Sequence, residues 1–432
     1  MNRLLCALVG CGLAAPLLTA SVWQPPGTIT EESQVRPYSL PDPLVMADGT
    51  RVTDGAAWRT RRRPELLRQF ESVVYGSTPG PGPAAVASNL RVDRAALGGA
   101  AIRTEVTLRL SSAGLEPAIH VLLYTPANAR GRVPVVVGLN FDGNQAVAKD
   151  PGIALATSWL PARTTGVVNN RATDQTRGVE ASRWQVEMLM SRGYALATAY
   201  YGDLDPDFDD GFQNGVHPLF YRAGQTRPAD GQWGAIGAWA WGLSRLLDYL
   251  ETRRDVDARR AIVMGHSRLG KAALWAGVQD ERFAIVISNN SGCGGAALSK
   301  RVFGETVGHI TSSFPHWFTP GFARYAGREA DLPVDQHELL ALVAPRPLYV
   351  ASAVEDSWAD PRGEFLGALG ADPVYLLLGT PGLRVTEMPA VDTPVGQTIG
   401  YHVRSGVHDV TAYDWEQYLA FADRHLRQKP VH

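Results

Sequence analysis

Hydrophobic and polar positions change their rhythm part-way along the chain. Thr104, Val106, Leu108 and Leu110 alternate with charged or polar neighbours, the period-two pattern of a half-covered antiparallel strand. Segments 85–92 and 118–124 read as strands on either side of it. At 133–139 the alternation gives way to an unbroken apolar run, the mark of a strand buried on both faces. Further strands are predicted at 194–200, 261–264, 283–288, 346–353 and 374–378, with a short last one at 401–404. Between them the period lengthens to that of a helix. Leu66, Leu67, Phe70, Val73 and Val74 share one face of 64–75, and Trp233, Ile236, Trp239, Leu243, Leu246, Leu247 and Leu250 share one face of 231–253. Helices are also predicted at 182–192, after residue 267, and at 338–342, 363–370 and 412–426. Strand alternating with helix implies an α/β chain with a mostly parallel sheet and right-handed crossovers.

Three stretches show no such period. Residues 21–54, rich in Pro, Ser, Thr and acidic residues, read as an extended arm on the surface. Residues 145–180 are long, polar and weakly patterned, which fits an insertion over a functional edge. Residues 296–332 are irregular and carry Phe314-Pro-His316-Trp317-Phe318.

The segment 261–271 reads Ala-Ile-Val-Met-Gly-His-Ser-Arg-Leu-Gly-Lys. A buried strand, a turn at Gly265, Ser267 at its apex and a helix behind it form the layout of a nucleophile elbow. Such a turn exposes the hydroxyl above the sheet and aims helix N–H groups beside it, where an oxyanion would develop. The usual G-x-S-x-G is altered: Leu269 stands where the second glycine is expected, and Gly270 follows one residue later. An antiparallel start leading into a parallel sheet with this elbow fits the α/β-hydrolase fold. That fold is a three-layer α-β-α sandwich, here with loop insertions over the active site. In it, the loop Asn140-Phe141-Asp142-Gly143-Asn144 would supply a second oxyanion N–H; an ordinary glycine turn is the alternative reading.

Bulk properties narrow the class. The chain has 432 residues, 45% hydrophobic and 19% charged, and a formal net charge of −2, which gives no electrostatic case for nucleic acid or a membrane surface. The eleven tryptophans suit either core packing or sugar platforms. Residues 1–20 have a short basic start, an apolar run and a small-residue cleavage site ending at Ala20. They read as a signal peptide, so the expected product is secreted or periplasmic. Leu8-Val9-Gly10-Cys11 resembles a lipoprotein box, but the apolar run continues past Cys11 and favours cleavage after Ala20. Residues 21–432 are then one catalytic domain, with 21–55 as its arm. Cys293 would be left as a lone thiol with no intramolecular partner.

A serine hydroxyl needs a base within reach, and the base needs an orienting acceptor. In this fold the chain order is Ser, acid, His. His408, in the loop before the final helix, is the expected base, because His402 falls within a strand; His316 reads as a packed or substrate-side residue. The acid is expected in the turn after a late strand, where Glu355, Asp356 and Asp360 all stand. The aspartates of 203–210 suggest a calcium loop, but Phe208 occupies the position that needs glycine, so a solvated acidic turn is the expectation.

Four motifs then carry a family resemblance. They are Gly265-His-Ser267-Arg268-Leu-Gly270-Lys271, Ser291-Gly-Cys-Gly-Gly295, Glu355-Asp356-Ser-Trp358-Ala-Asp360-Pro and Gly406-Val-His408-Asp. Together they resemble the glucuronoyl esterases of carbohydrate esterase family 15, over most of the chain after about Trp58. The resemblance implies a serine esterase acting on esters of glucuronic acid and its 4-O-methyl ether, at glucuronoxylan–lignin linkages, with no cofactor and no metal. It matches Ser267 to the nucleophile, His408 to the base and Arg268 to an oxyanion-stabilising arginine. It matches Lys271, Trp358 and Glu305 to the uronate pocket. Many relatives carry the acid immediately before Ser-Gly-x-Gly-Gly, where this chain has Asn290. Asn cannot balance an imidazolium, so Asp356 is expected to be the acid, as in bacterial members. A monomer is expected. The alternatives are an acetyl-xylan or other carbohydrate esterase, or a non-catalytic glycan-binding protein.

Overall fold

Ten strands pair into one sheet among the residues described by the computed structural model, which are 25, 27–112 and 114–426. They are β1 (Ala85–Ala96), β2 (Ala101–Leu110), β3 (Ala118–Pro126), β4 (Val133–Asn140), β5 (Ala195–Tyr200), β6 (Val256–His266), β7 (Ile285–Asn289), β8 (Leu348–Ala353), β9 (Val395–Gly396) and β10 (Ile399–Arg404). Their spatial order is β1-β2-β3-β5-β4-β6-β7-β8-β10-β9. β1, β2, β3 and β5 pair antiparallel, whereas β5, β4, β6, β7, β8 and β10 are mutually parallel. The change falls where alternation gives way to continuous apolar runs. β5 is buried throughout and β4 from Val135 onward, whereas most of β1 is exposed.

The chain runs from β4 outward to β5, then returns past β4 to β6 and continues the other way. The switch point therefore lies between β4 and β6, at the carboxyl ends of the strands, where open α/β sheets place their ligands. Apolar cores cover both faces. One packs the helices Ala235–Glu251, Arg268–Gln279 and Pro361–Leu377; the other packs Val186–Ser191 and Ala412–Leu426. This is the three-layer arrangement that the pattern implied. Trp58, Trp239, Trp275 and Trp415 are fully buried, so these rings serve the core.

Three elements differ from expectation. The helix expected at 182–192 is two short ones, Ala181–Trp184 and Val186–Ser191, parted where Gln185 takes φ 40°. The expected strand at 374–378 is the last turn of the helix Pro361–Leu377, which continues through Pro373. β8 already has β7 and β10 as neighbours, so an apolar run there has no sheet edge to join and packs Val374 and Tyr375 as helix residues instead. The helical run expected at 64–75 begins earlier, where the Asp54 carboxylate accepts from Ala56 N–H and Ala57 N–H. The described part of the arm is mostly exposed but sends Leu44 and Val52 into the core. Ile29 O accepts from Gly304 N–H, and Pro41 O lies 2.8 Å from His337 Nε2. The expected signal peptide lies outside the described residues.

Candidate active site

β6 ends at His266, and Ser267 turns the chain at φ 57°, ψ −130° into the helix Arg268–Gln279. A non-glycine residue held there stores on the order of 1–3 kcal/mol of strain, which the surroundings must hold in place. Ser267 N–H donates to Asn289 O at 2.9 Å, tying the apex to β7. Gly270 N–H and Lys271 N–H donate to Ser267 O at 2.8 and 3.2 Å, closing the first helical turn. The glycines are explained by contact. A Cβ at residue 265 would lie 1.9 Å from Leu269 O, and one at residue 270 would lie 3.0 Å from Ser291 Cβ. The close approach of helix to strand therefore needs Gly265 and Gly270, while residue 269 can be leucine.

His408 lies in the loop after β10. Its Nδ1 is 2.6 Å from Asp356 Oδ2, and the same oxygen accepts from Asn290 Nδ2 at 2.7 Å. Burial works against the Asp356 charge, but His408 and Asn290 outweigh it and hold the carboxyl below the usual aspartate value. With Nδ1 engaged, Nε2 is the ring nitrogen left for a substrate or a hydroxyl. The rival acids are elsewhere. Glu355 is exposed, and Asp360 pairs with Arg301 Nε at 2.9 Å and accepts from Gly363 N–H. His402 is buried in β10, 2.9 Å from both Asp414 Oδ1 and the Tyr349 hydroxyl.

Arg268 pairs through a terminal nitrogen with Asp207, and its guanidinium lies 4.7 Å from the Trp317 ring centre and 5.8 Å from that of Phe141. Asp207 also accepts from Trp317 Nε1 at 2.7 Å and from the Tyr201 hydroxyl at 3.0 Å, and lies 3.1 Å from His316 Nε2. Burial opposes its charge, yet these partners hold it well below the ordinary value. This corrects the expectation of a solvated acidic turn at 203–210 for its first three aspartates, while Asp209 is exposed. Asp203 is buried against His120 and Ser158, Asp205 against His217, and Asp207 against Arg268. His316 is a packed residue, part of the Asp207 cluster.

Lys271 is buried one turn after Ser267. Its Nζ donates to Ser291 O at 2.5 Å and lies 4.0 Å from Glu305 Oε2. Burial pushes the Lys271 ammonium down and the Glu305 carboxyl up, while the attraction of each for the other works against that shift. Trp358 accepts Glu305 N–H at 2.9 Å through its carbonyl, and its ring stacks on His309 at 5.4 Å. These three residues lie beyond the ends of β7 and β8.

Ser267, Arg268 and His408 line one cavity of about 540 Å³, with Phe141 and Asp142 from the loop after β4 and with 163–165, 179–180 and 182–183. The insertion 145–180 thus walls the site, and Gly143 makes the turn behind Asp142 at φ 90°. Three features went unread in the sequence: Asp207 behind Arg268, the Arg183–Asp409 ion pair at 2.5 Å beside His408, and Asn290 serving the acid rather than the imidazole. Each joins residues far apart in the chain, so no local pattern announces it.

A sheet of this order, with a strained serine on the β6 turn and a histidine–aspartate pair on the same cavity, defines an α/β-hydrolase. The model of fungal glucuronyl esterases matches residues 219–379. A carbohydrate esterase from an unknown prokaryotic organism is 49% identical over 425 residues, spanning 96% of this chain and 98% of its own. A promiscuous CE15 esterase from a marine bacterial metagenome is 51% identical, with a TM-score of 0.87 over 92% of this chain and 100% of that one. The glucuronoyl esterase of Solibacter usitatus is 49% identical, with a TM-score of 0.87 over 91% and 100%. The chain belongs to carbohydrate esterase family 15, the glucuronoyl esterases, and is a carboxylic ester hydrolase.

Proposed function

We propose that the chain hydrolyses esters of glucuronic acid and its 4-O-methyl ether, such as those joining glucuronoxylan side chains to lignin alcohols, through an acyl-enzyme on Ser267. Ser267 Oγ attacks the ester carbonyl while His408 Nε2 takes its proton. Asp356 balances the imidazolium through Nδ1. Negative charge on the carbonyl oxygen is met by N–H groups at the helix start and by the Arg268 guanidinium, a charge-assisted donor that outdoes a neutral amide. His408 returns the proton to the departing alcohol. Water, deprotonated by the same imidazole, then releases the uronic acid and frees Ser267. Lys271, Glu305 and Trp358 hold the sugar, offering a cation, a carboxylate and a ring edge to its hydroxyls.

The observation that carries this reading is the 2.6 Å pairing of His408 with Asp356 on the cavity that Ser267 lines. Lys271 and Glu305 beyond the elbow favour a hydroxylated, uronate-sized acyl group over acetate. Export by residues 1–20 and action as a monomer outside the cytoplasm complete the proposal. Among the described residues, no helix is long and apolar enough to cross a membrane.

The test is turnover of benzyl glucuronate beside an acetylated xylo-oligosaccharide, with Ser267→Ala as control. Fast, Ser267-dependent cleavage of the uronate ester is expected. Preference for the acetyl ester would move the chain to the acetyl-xylan esterases. Sugar binding with no Ser267-dependent turnover would make it a glycan-binding protein.

A further inference from the structure

Ser267 follows the end of β6, and the sheet gives it two different flanks. On the β7 and β8 side stand Lys271, Ser291, Glu305 and Trp358. The cavity opens toward the β4 side, where Phe141, Asp142 and the insertion wall it, and it reaches across the serine to His408 and Asp409. None of Lys271, Glu305 and Trp358 lines that cavity. An ester bound across the serine must place its acyl half on one flank and its alcohol half on the other. If the uronate occupies the β7 and β8 side, the departing alcohol enters the β4 side.

The charged groups around this cavity are nearly all engaged. Arg183 pairs with Asp409 at 2.5 Å and with Glu180 at 3.4 Å, Arg268 pairs with Asp207, and Asp142 accepts from the Thr164 hydroxyl at 2.6 Å. Arg163 differs. It is exposed and lines the cavity, and among the described residues it has no ion pair or hydrogen bond. Its turn is nevertheless held. Thr164 N–H donates to Pro161 O at 3.0 Å, and the Thr164 side chain anchors to Asp142 on the loop beside the serine. A guanidinium on a pinned turn presents N–H donors that no protein acceptor uses.

We infer that the β4-side cavity receives the alcohol half of the ester and that Arg163 selects it, favouring a leaving alcohol that carries hydroxyl groups over a bare hydrocarbon one. This rests on the esterase reading above. An apolar alcohol would strip water from Arg163, Asp142 and Thr165 without replacing its hydrogen bonds, whereas a hydroxylated one restores them. Phenolic and sugar alcohols share this chemistry, so both belong in the test.

Three glucuronate esters of primary alcohols separate the outcomes: phenylpropyl, hydroxyphenylpropyl and a methyl glucoside linked through its primary hydroxyl. The wild-type enzyme is expected to show a kcat/KM about fivefold higher for at least one hydroxylated ester than for phenylpropyl, the size of one charge-assisted hydrogen bond at a half-open site. In Arg163→Ala that ratio is expected to fall toward one, and Arg163→Lys to keep part of it. Which hydroxylated ester leads identifies the alcohol as phenolic or carbohydrate. Equal rates for all three esters in the wild type, or a preference that survives Arg163→Ala, would overturn the inference and leave the esterase intact. No turnover of any ester would overturn the reading beneath it. Thermal unfolding of both variants checks that the exposed turn has not altered the fold.

Discussion

Two donors converge on one oxygen of Asp356, and they are unequal. His408 needs the negative charge when its ring is protonated; Asn290 only helps to aim it. Asp356→Asn is therefore expected to lower kcat by roughly 10²–10⁴-fold, because the amide removes the counter-charge and favours the wrong imidazole tautomer. Asn290→Ala is expected to cost less than about tenfold, the scale of one neutral hydrogen bond. Steady-state kinetics on benzyl glucuronate checks both, and a reversed order would reassign the acid. Asp207 offers a second residue-level test. It holds Arg268 from behind, so Asp207→Asn should leave the guanidinium loosely placed for the oxyanion. A fall of about tenfold or more in kcat, with KM little changed, is expected if Arg268 acts on the transition state. A rise in KM alone would show that Asp207 serves ground-state binding. The Ser267 turn and the His408–Asp356 pairing were each legible as residue types in a particular turn. Asp207 was not, because an acidic run looks the same in sequence whether it faces water or an arginine 61 positions away.

The elbow shows what an element adds to its residues. Its glycines are set by how closely the helix Arg268–Gln279 approaches β6 and the Ser291 loop, not by a fixed spelling. Gly265→Ala would drive a methyl to within 1.9 Å of a backbone oxygen, which no side-chain rearrangement relieves. A loss of more than about 3 kcal/mol in urea-unfolding stability is expected, together with loss of turnover. The strands of the parallel half were legible because continuous apolar runs of strand length are rare outside buried sheets. The same signal misled at 374–378, where an apolar run closes a helix; period alone cannot separate the two when every position is apolar. The insertion was readable only as a long polar loop. That its middle and its C-terminal end wall the cavity depends on Thr164 meeting Asp142 and on Arg183, just past the insertion, meeting Asp409, contacts that exist only once the sheet has formed.

Across the whole molecule, one buried carboxyl joins the site to the outer helix layer. Glu364, on the helix Pro361–Leu377, accepts from Ser291 N–H at 2.7 Å, Gly292 N–H at 3.0 Å and the Ser352 hydroxyl at 2.6 Å. Burial outweighs these donors and pushes its pKa up to about 8 from the ordinary 4.5. Below 4.5 the folded and unfolded chains both hold this proton. Between 4.5 and about 8 the folded chain keeps a proton that the unfolded chain releases, so this group's contribution to stability declines as pH rises through that window. Glu364→Gln should flatten that decline, seen as a smaller difference in denaturation midpoint between pH 5 and pH 8.

The order in which the three reacting groups enter the chain has a consequence for synthesis. Ser267 leaves the ribosome first, then Asp356, and His408 only after β10 has been made. A nascent chain whose central strands have already paired thus displays a nucleophile with no proton acceptor behind it. On the proposed assignment, such a chain lacks its base and counter-charge until β10 pairs with β8 and brings His408 to Asp356.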